Sequence, residues 1–297
     1  MKKAVLAIWA VLIALFLFVE SVLASDIKIS KETVKQGEFF EITIDGVFPG
    51  DFFIVKFQNR AYRSAPGVSA MSHRVVIPVN VFDTLGEAKI FLESKHEILI
   101  PQKITVIKSE FEEADRVEII KPLSSKELKK YSQDQEVLSE IYSKSTKYPF
   151  FVTIDEPFFG YPLEKKAKIS SPFGFIRKRK VGAKSEKIEK VSHGGTDLAV
   201  NTGEAVLASE TGIVRLAKEL VNSGNTIVID HGYNIFSVYM HLSQVFVSGG
   251  EVVWRGDTIG LSGSTGRVTG PHLHFGMRVR DTWVDPKYFV KSFKEEK

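Results

Sequence analysis

Cysteine is absent from all 297 residues of the chain. This absence excludes a disulfide framework, a thiol nucleophile and cysteine-based zinc ligation. Any metal site must therefore be built from His, Asp or Glu. Without disulfides the chain must rely on its hydrophobic cores. Its 43% hydrophobic and 26% charged residues are ordinary for a globular protein, and its length fits about two domains.

The chain also has little excess charge. Its formal net charge of +4 falls to +3 once the two lysines and one glutamate of residues 1–24 are set aside. So small a positive charge gives no case for nucleic-acid binding.

The N-terminal apolar run is short for a membrane span. Residues 1–3 are basic at two positions, residues 4–19 are apolar, and residues 22–24 offer a cleavage site. This layout predicts a cleaved signal peptide over residues 1–24. The alternative is an uncleaved membrane anchor, although a span needs roughly 20 residues. Position 25 is serine, so a lipoprotein anchor is not indicated. Both interpretations export the rest of the chain, to the periplasm or the outer cell surface.

The fold class is predicted to be mainly β. Residues 25–108 contain short β-branched and aromatic runs separated by turn signals such as Asp45-Gly46 and Pro66-Gly67, which favours a small β-sandwich. Two isolated histidines there, His73 and His96, are expected to be structural or surface residues. Residues 151–297 contain short strands with glycine at nearly every junction, which predicts an antiparallel β domain.

Residues 109–150 are predicted to form a helical linker between the two β domains. Ser124 and Glu127 fit a capping box ahead of a helix that runs to about Ser143. The apolar positions are only loosely helical in period. The linker either packs on one of its neighbours or forms a solvated hinge.

Histidines in the last domain suggest a metal site. His193 and Asp197 are separated by Gly194, Gly195 and Thr196, and this segment is expected to be a loop that runs into a strand. By itself this spacing is a weak signal. In a strand, His272 and His274 would point to the same face, either as part of a zinc corner or as a surface pair.

Another histidine, His241, ends an apolar run and, taken alone, is best interpreted as a half-buried residue at a strand end. The three segments together are more specific than any one of them. In chain order the relevant motifs are Ser171-Pro172-Phe173-Gly174, His193-Gly194-Gly195-Thr196-Asp197, Asp230-His231-Gly232, Tyr239-Met240-His241-Leu242, Gly263-Ser264-Thr265-Gly266 and Pro271-His272-Leu273-His274-Phe275.

This order of motifs resembles the M23 (LytM/lysostaphin-type) zinc metallopeptidases, over about 40% of the chain between residues 165 and 285. The resemblance implies an M23-type C-terminal peptidase domain over residues 151–297. It also implies that His193, Asp197 and His274 bind Zn²⁺ and that His241 and His272 are catalytic. His231 also matches a family position and is expected to be structural.

These roles agree with the chemistry of catalytic zinc, which uses about three protein ligands and keeps one position open. The chain has no HExxH helix, so histidines must move the proton. His272 is well placed to act as base, and His241 to polarise the carbonyl or stabilise the oxyanion. Sequence alone does not decide which of the two is the base.

The function that the resemblance implies is endopeptidase cleavage of peptide cross-links or stem peptides in peptidoglycan. The alternatives are a non-catalytic module that binds cell wall or activates an amidase, and a peptidase with a protein substrate. Residues 177–190 are predicted to be a loop bordering the groove, with seven basic residues against two acidic ones. That loop is either an attractive rim for carboxylates or a solvated segment. Residues 25–108 are hypothesised to cover the groove until displaced; the alternatives are that they bind cell wall or a partner.

Overall fold

The structure is a computed structural model that describes residues 26–47, 52–67, 69, 71–94, 101–146, 149–150 and 158–293. The predicted signal segment and His96 lie outside the described residues. Within the described ranges, no helix has the length and apolar character needed to cross a membrane.

The described residues form 23 strands, one α-helix and two short 3₁₀ helices, so the predicted mainly β fold class is confirmed. The strands are β1 (Asp26–Ile29), β2 (Thr33–Lys35), β3 (Phe39–Asp45), β4 (Ile54–Phe57), β5 (Arg60–Arg63), β6 (Ala65–Pro66), β7 (Ser72–Pro78), β8 (Gly86–Glu93), β9 (Gln102–Ile107), β10 (Glu113–Ile120), β11 (Lys168–Ser171), β12 (Ile176–Val181), β13 (Glu189–Ser192), β14 (Thr196–Ala199), β15 (Ala205–Leu207), β16 (Gly212–Leu220), β17 (Gly224–Asp230), β18 (Ile235–Leu242), β19 (Gln244–Val245), β20 (Val252–Val253), β21 (Thr258–Leu261), β22 (Leu273–Val279) and β23 (Thr282–Val284). Helix α1 is Ser125–Ser143, and the 3₁₀ helices are Pro286–Tyr288 and Lys291–Phe293.

Contacts divide the chain into two compact units. The first consists of the described residues within 26–32, 40–77 and 87–104. Its strands form one sheet in the order β1-β3-β7-β6 and another in the order β9-β8-β4-β5. Phe40 of β3 packs edge-on against Phe57 of β4 at 5.2 Å between ring centroids, and both are fully buried. Aromatic packing of this kind joins the two sheets into the small sandwich expected from the strand spacing.

The second unit consists of residues 33–39, 78–86 and 105–297. Its largest sheet runs in the order β11-β14-β22-β18-β17-β16-β20, with β23 paired to β22. A smaller sheet has the order β15-β21-β19. The strands predicted around residues 206–253 are confirmed, and several extend further than the sequence pattern indicated.

Helix α1 has the predicted capping box. The Ser124 hydroxyl accepts a hydrogen bond from the Glu127 backbone N–H, while the Glu127 carboxylate accepts one from the Ser124 N–H. Near its C-terminal end, Tyr142 is buried in a cluster with Leu216, Leu220, Val228, Phe236 and Val238. The helix is therefore packed on the sheet of the second unit and is not a solvated hinge.

Residues 177–190 are a loop only in part, so the prediction was wrong for the two ends of the segment. Residues 177–181 and 189–190 belong to the antiparallel strands β12 and β13, residues 182–188 connect them, and β12 also pairs in parallel with β10. Ion pairs link the strands, because Lys178 and Lys190 both contact Glu113, and Arg179 contacts Glu118. The acidic side chains of β10 thus offset the positive charge that suggested a solvated loop.

Candidate active site

Pairing within the large sheet brings the predicted site residues together. Asp197 on β14 lies directly opposite His274 on β22. On the other side of β22, β18 places Met240 opposite His274, so His241 lies at the next position along that strand. His193 belongs to the short connection between β13 and β14. The expectation of a loop that runs into a strand at Asp197 is confirmed.

Three side-chain atoms converge on one point. His274 Nδ1 lies 2.8 Å from Asp197 Oδ1, and His193 Nε2 lies 3.1 Å from each of these atoms. All three residues are buried. The structure therefore places the three predicted ligands within reach of a single ion.

The hydrogen bonds around these side chains fit a metal ion. His193 Nδ1 lies 2.9 Å from the carbonyl oxygen of Pro172, which can only accept, so Nδ1 carries the proton. His193 Nε2 then presents a lone pair toward His274 Nδ1 and the Asp197 carboxylate. A cation would stabilise this lone pair beside a carboxylate, and two imidazoles with one carboxylate suit Zn²⁺.

Glycine at position 195 is required by the approach of His274. A Cβ atom at this position would lie 2.6 Å from His274 Nε2 and 2.6 Å from the carbonyl oxygen of Phe275. Any larger residue would displace the ring or the strand. The neighbouring Gly194 has a similar relation to Trp283, whose indole would lie 2.7 Å from an added Cβ.

Burial and hydrogen bonding act in opposite directions on Asp197. Burial alone would raise the pKa of this carboxyl, but its close contacts with the imidazoles of His193 and His274 outweigh burial and hold the pKa well below its usual range. For His274, burial lowers the pKa, and the hydrogen bond to Asp197 opposes that shift only in part. A carboxylate beside uncharged imidazoles is the protonation state that metal binding needs.

His241 and His272 face the same point from the other side. Their ring centroids are 4.8 Å apart. His241 Nδ1 lies 2.9 Å from the carbonyl oxygen of Thr265, and His272 Nδ1 lies 2.9 Å from that of Gly270. Both Nδ1 atoms therefore donate, which leaves Nε2 of each ring as the nitrogen that can accept a proton. His272 Nε2 is 3.7 Å from Asp197 Oδ1.

His241 is held in an unusual environment. Its backbone φ of 66° lies in the left-handed region, where residues other than glycine are uncommon and often functional. Burial, reinforced by the nearby His274, lowers the pKa of His241 to about 4. The ring is therefore uncharged at neutral pH.

Arg177 was counted in the sequence only as part of a basic stretch, but it supports the ligand set. Its Nη2 donates to the Ser171 hydroxyl at 2.9 Å and lies 3.5 Å from Asp197 Oδ2. This guanidinium therefore lies beside the Asp197 oxygen that does not face the histidines.

All five predicted residues line one groove with a cavity volume of about 720 Å³. The groove is also lined by side chains that sequence reasoning had not assigned to a site: Glu118 and Ile120 from β10, Tyr131, Gln135 and Leu138 from α1, and Arg278 and Trp283 from β22 and β23. For Arg278 a signal was available. It lies four positions after His274 in the same strand, and alternation along a strand places both on one face.

Two other histidines have structural surroundings. His231 is fully buried, with Nδ1 at 2.9 Å from the Thr211 carbonyl oxygen and Nε2 at 2.8 Å from the Ser237 hydroxyl. His73 is buried, with Nδ1 at 2.9 Å from the Ser64 hydroxyl. Neither lines the groove, in agreement with their predicted structural roles.

Residues 191–286 match the model of Peptidase family M23. This stretch contains all five residues of the candidate site. The chain therefore contains a Peptidase M23 domain, and the resemblance inferred from the order of the motifs is confirmed.

Curated relatives match the same part of the chain. The peptidoglycan DD-endopeptidase ShyA of Vibrio cholerae serotype O1 is 40% identical over 128 residues, which are 43% of this chain and 29% of ShyA. The DD-carboxypeptidase/endopeptidase Mpg of Neisseria meningitidis serogroup B is 36% identical over 124 residues, or 40% of this chain and 26% of Mpg. The chain thus spans less than a third of the length of these relatives.

One solved structure is similar over most of the chain. A putative peptidase M23 from Pseudomonas aeruginosa aligns with a TM-score of 0.62, covering 88% of this chain and 96% of that chain at 22% sequence identity. At this level of identity the similarity concerns the fold.

Proposed function

We propose that this protein is an exported zinc endopeptidase that hydrolyses peptide cross-links or stem peptides of bacterial peptidoglycan. The observation that carries the proposal is the convergence of two imidazole nitrogens and one carboxylate oxygen, with two further histidines lining the same groove. Peptidoglycan as substrate is supported by the names of ShyA and Mpg. Export to the periplasm or outer surface is supported by the signal-like sequence of residues 1–24.

The chain's own residues supply ligation and proton transfer. His193 Nε2, Asp197 Oδ1 and His274 Nδ1 would hold the zinc ion, and Arg177 steadies the second oxygen of Asp197. Bound zinc would supply a Lewis acid that activates water and polarises the scissile carbonyl. Two neutral imidazoles and one carboxylate would neutralise only part of the charge of Zn²⁺, and the remaining positive charge would favour both effects.

His272 is the proposed general base. Its Nδ1 donates to Gly270, so Nε2 is free to take a proton, and this atom lies close to the ligand Asp197. The neutral His241 ring has the same arrangement toward Thr265 and is also an acceptor at Nε2. The oxyanion-stabilising role suggested for His241 therefore requires that this ring first gain a proton.

The test is digestion of purified cross-linked sacculi by the zinc-loaded chain, with the released muropeptides identified by mass. We expect about one zinc per chain and conversion of cross-linked dimers to monomers. A chelator should abolish cleavage and added zinc should restore it. His272→Ala should lose cleavage, by a factor on the order of 10² or more, whereas His73→Gln, a histidine change outside the groove, should retain it.

Two results would contradict the proposal. Zinc bound at one per chain without cleavage would favour the non-catalytic alternative, a module that binds cell wall or activates an amidase. Cleavage that persists in chelator would exclude the metal mechanism.

A further inference from the structure

A row of side chains leads away from the metal ligands along β22. The indole of Trp283 lies over Gly276, where a Cβ atom would be 2.6 Å from the ring, and its centroid is 6.2 Å from the His274 ring. The guanidinium carbon of Arg278 lies 4.3 Å from the Trp283 ring centroid. The groove floor thus runs from the metal ligands, across an aromatic platform, to a cation.

The Arg278 guanidinium contacts two aromatic rings. Its central carbon lies over the Trp283 ring and over the Tyr142 ring of α1, at 4.1 Å from the Tyr142 ring centroid. The guanidinium can still form hydrogen bonds along its planar edge. Arg278 lines the groove and is intermediate in exposure, although its Nε is buried.

The arginines of the groove differ in their partners. Arg177 pairs with Asp197, and Arg179 pairs with Glu118. Arg267 donates to the carbonyl oxygen of Lys121 and contributes to lowering the pKa of nearby Glu127.

Arg278 forms no salt bridge with a carboxylate among the described residues, although the Tyr142 side chain and the Asp281 carboxylate interact with its charge. Its Nη2 donates to the backbone carbonyl of Asp281, and its Nε is buried. A guanidinium that meets one carbonyl oxygen and two rings, but forms no salt bridge, is suited to bind an incoming anion.

We propose that Arg278 binds a carboxylate of the peptide substrate and makes the groove selective for acidic peptides. This inference rests on the proposed peptidase function and assigns one of its specificity determinants. The planar guanidinium matches a planar carboxylate through paired N–H donors. The Trp283 ring lies 6.2 Å from the His274 ring, and the Arg278 guanidinium carbon lies 4.3 Å from the Trp283 ring. Because an extended peptide advances about 3.3 Å per residue, these two distances place the recognised carboxylate roughly three residues from the cleaved bond.

The test compares two forms of one cross-linked peptide dimer, one with free carboxylates and one with those carboxylates converted to amides. We expect the zinc-loaded chain to cleave the acidic form with a kcat/KM roughly 10- to 100-fold higher, the range of a charge-assisted hydrogen bond. Arg278→Gln should cleave the two forms at equal rates. Arg278→Lys should retain part of the preference, because it keeps the charge but loses the planar pair of donors.

Arg116→Gln is the matched control, since Arg116 is an exposed arginine on β10 that does not line the groove. This variant should keep the full preference for the acidic form. The inference is overturned if the unaltered chain cleaves both forms within a factor of two, or if Arg278→Gln discriminates between them as the unaltered chain does.

Binding to an inactive protein gives a second measurement that does not depend on turnover. Zinc-loaded His272→Ala should bind the acidic dimer at least tenfold more tightly than the amide, and adding Arg278→Lys should reduce that ratio. If the unaltered chain cleaves neither form, the proposed function fails while this measurement still decides the role of Arg278. Equal binding of both forms would reject a carboxylate site.

Discussion

At the residue scale, the candidate site depends on close backbone approach as much as on its ligands. We expect Gly195→Ala to displace the His274 ring, because the new methyl group would lie 2.6 Å from Nε2. Overpacking of this kind costs about 1–3 kcal/mol of folding free energy, and misplacing a ligand lowers metal affinity roughly 10- to 100-fold. Zinc content after dialysis against a weak chelator should therefore fall well below one per chain.

The control for Gly195 is Gly249→Ala, because no atom lies within 4 Å of a Cβ built at Gly249. That variant should keep its zinc. If Gly195→Ala also keeps one zinc per chain with unchanged affinity, the close approach of Gly195 to His274 does not control the ligand geometry.

His231 should make stability depend on pH. Burial lowers the pKa of this histidine to about 4 from an ordinary 6.5. Between these values the unfolded state binds a proton that the folded state does not, so the free energy of unfolding falls as the pH is lowered from about 6.5 to about 4. The loss attributable to His231 is about 3 kcal/mol, and below pH 4 it levels off because the folded ring also becomes protonated.

Denaturant unfolding at several pH values, compared between the unaltered chain and His231→Gln, measures this effect. The glutamine variant should show a flatter dependence between pH 6.5 and 4, whereas contributions from His241 and from zinc release are common to both proteins. The neighbouring Asp230, whose pKa is lowered, loses its stabilising contribution only as the pH falls below its ordinary value of 3.8. Parallel curves for the two proteins would show that His231 does not account for the slope.

That these five residues come together could be predicted because each belongs to a short motif with distinctive spacing. Strand alternation put His272 and His274 together, and the glycines before Asp197 indicated a tight approach. The fixed tautomers could not be predicted in the same way. They depend on backbone carbonyls of Pro172, Thr265 and Gly270, and any residue type presents a carbonyl.

At the scale of elements, the sequence indicated α1 through its capping box but gave no sign of β10. The sequence of β10, Glu113–Ile120, is largely charged and exposed, so it lacks the apolar alternation that signals a strand. Its pairing is with the basic strand β12, and complementary charges across the two strands replace the missing hydrophobic pattern. Such pairing is visible only when both strands are considered together.

Helix α1 forms part of the groove wall and should therefore affect substrate binding. We expect Tyr131→Ala to raise KM severalfold, since removal of a contacting aromatic side chain costs about 1 kcal/mol or more. The value of kcat should change less, because Tyr131 lines the groove from α1, whereas the reacting histidines lie on or beside strands of the large sheet. Steady-state kinetics on a soluble cross-linked dimer would separate the two constants.

Lys129→Ala provides the matched control on the same helix, because Lys129 is exposed and does not line the groove. It should leave KM unchanged. An equal effect of both substitutions would mean that they act through helix stability, and measuring unfolding free energies of the two variants would show this directly.

At the scale of the whole molecule, the two compact units do not follow one another along the chain. Residues 33–39 and 78–86 group with residues 105–297. Within that unit, the Asp285 N–H donates to the Gly37 carbonyl oxygen at 2.8 Å. The predicted domain limits at residues 25–108, 109–150 and 151–297 stay predictions, because linear composition does not show which segments return to an earlier part of the chain.

This interleaving changes what a truncation can test. If residues 25–108 cover the groove, a fragment of residues 151–297 should be more active than the whole chain. That fragment, however, also lacks α1, β10 and the segment at Ser145 and Thr146, both of which donate hydrogen bonds to the buried Asp230. It therefore loses part of the groove wall and exposes the sheet surface that Tyr142 covers.

We expect residues 151–297 to be less stable and less active than the whole chain. Loss of a buried aromatic such as Tyr142 costs on the order of 3 kcal/mol, and loss of the α1 wall should raise KM. A longer fragment, residues 109–297, retains α1 and β10 and is the matched comparison for measurements of melting temperature, zinc content and kcat/KM. Higher activity of the longer fragment than of the whole chain would support occlusion by residues 25–108. If the shorter fragment equals the longer one in stability and KM, α1 and β10 are dispensable and the groove is complete without them.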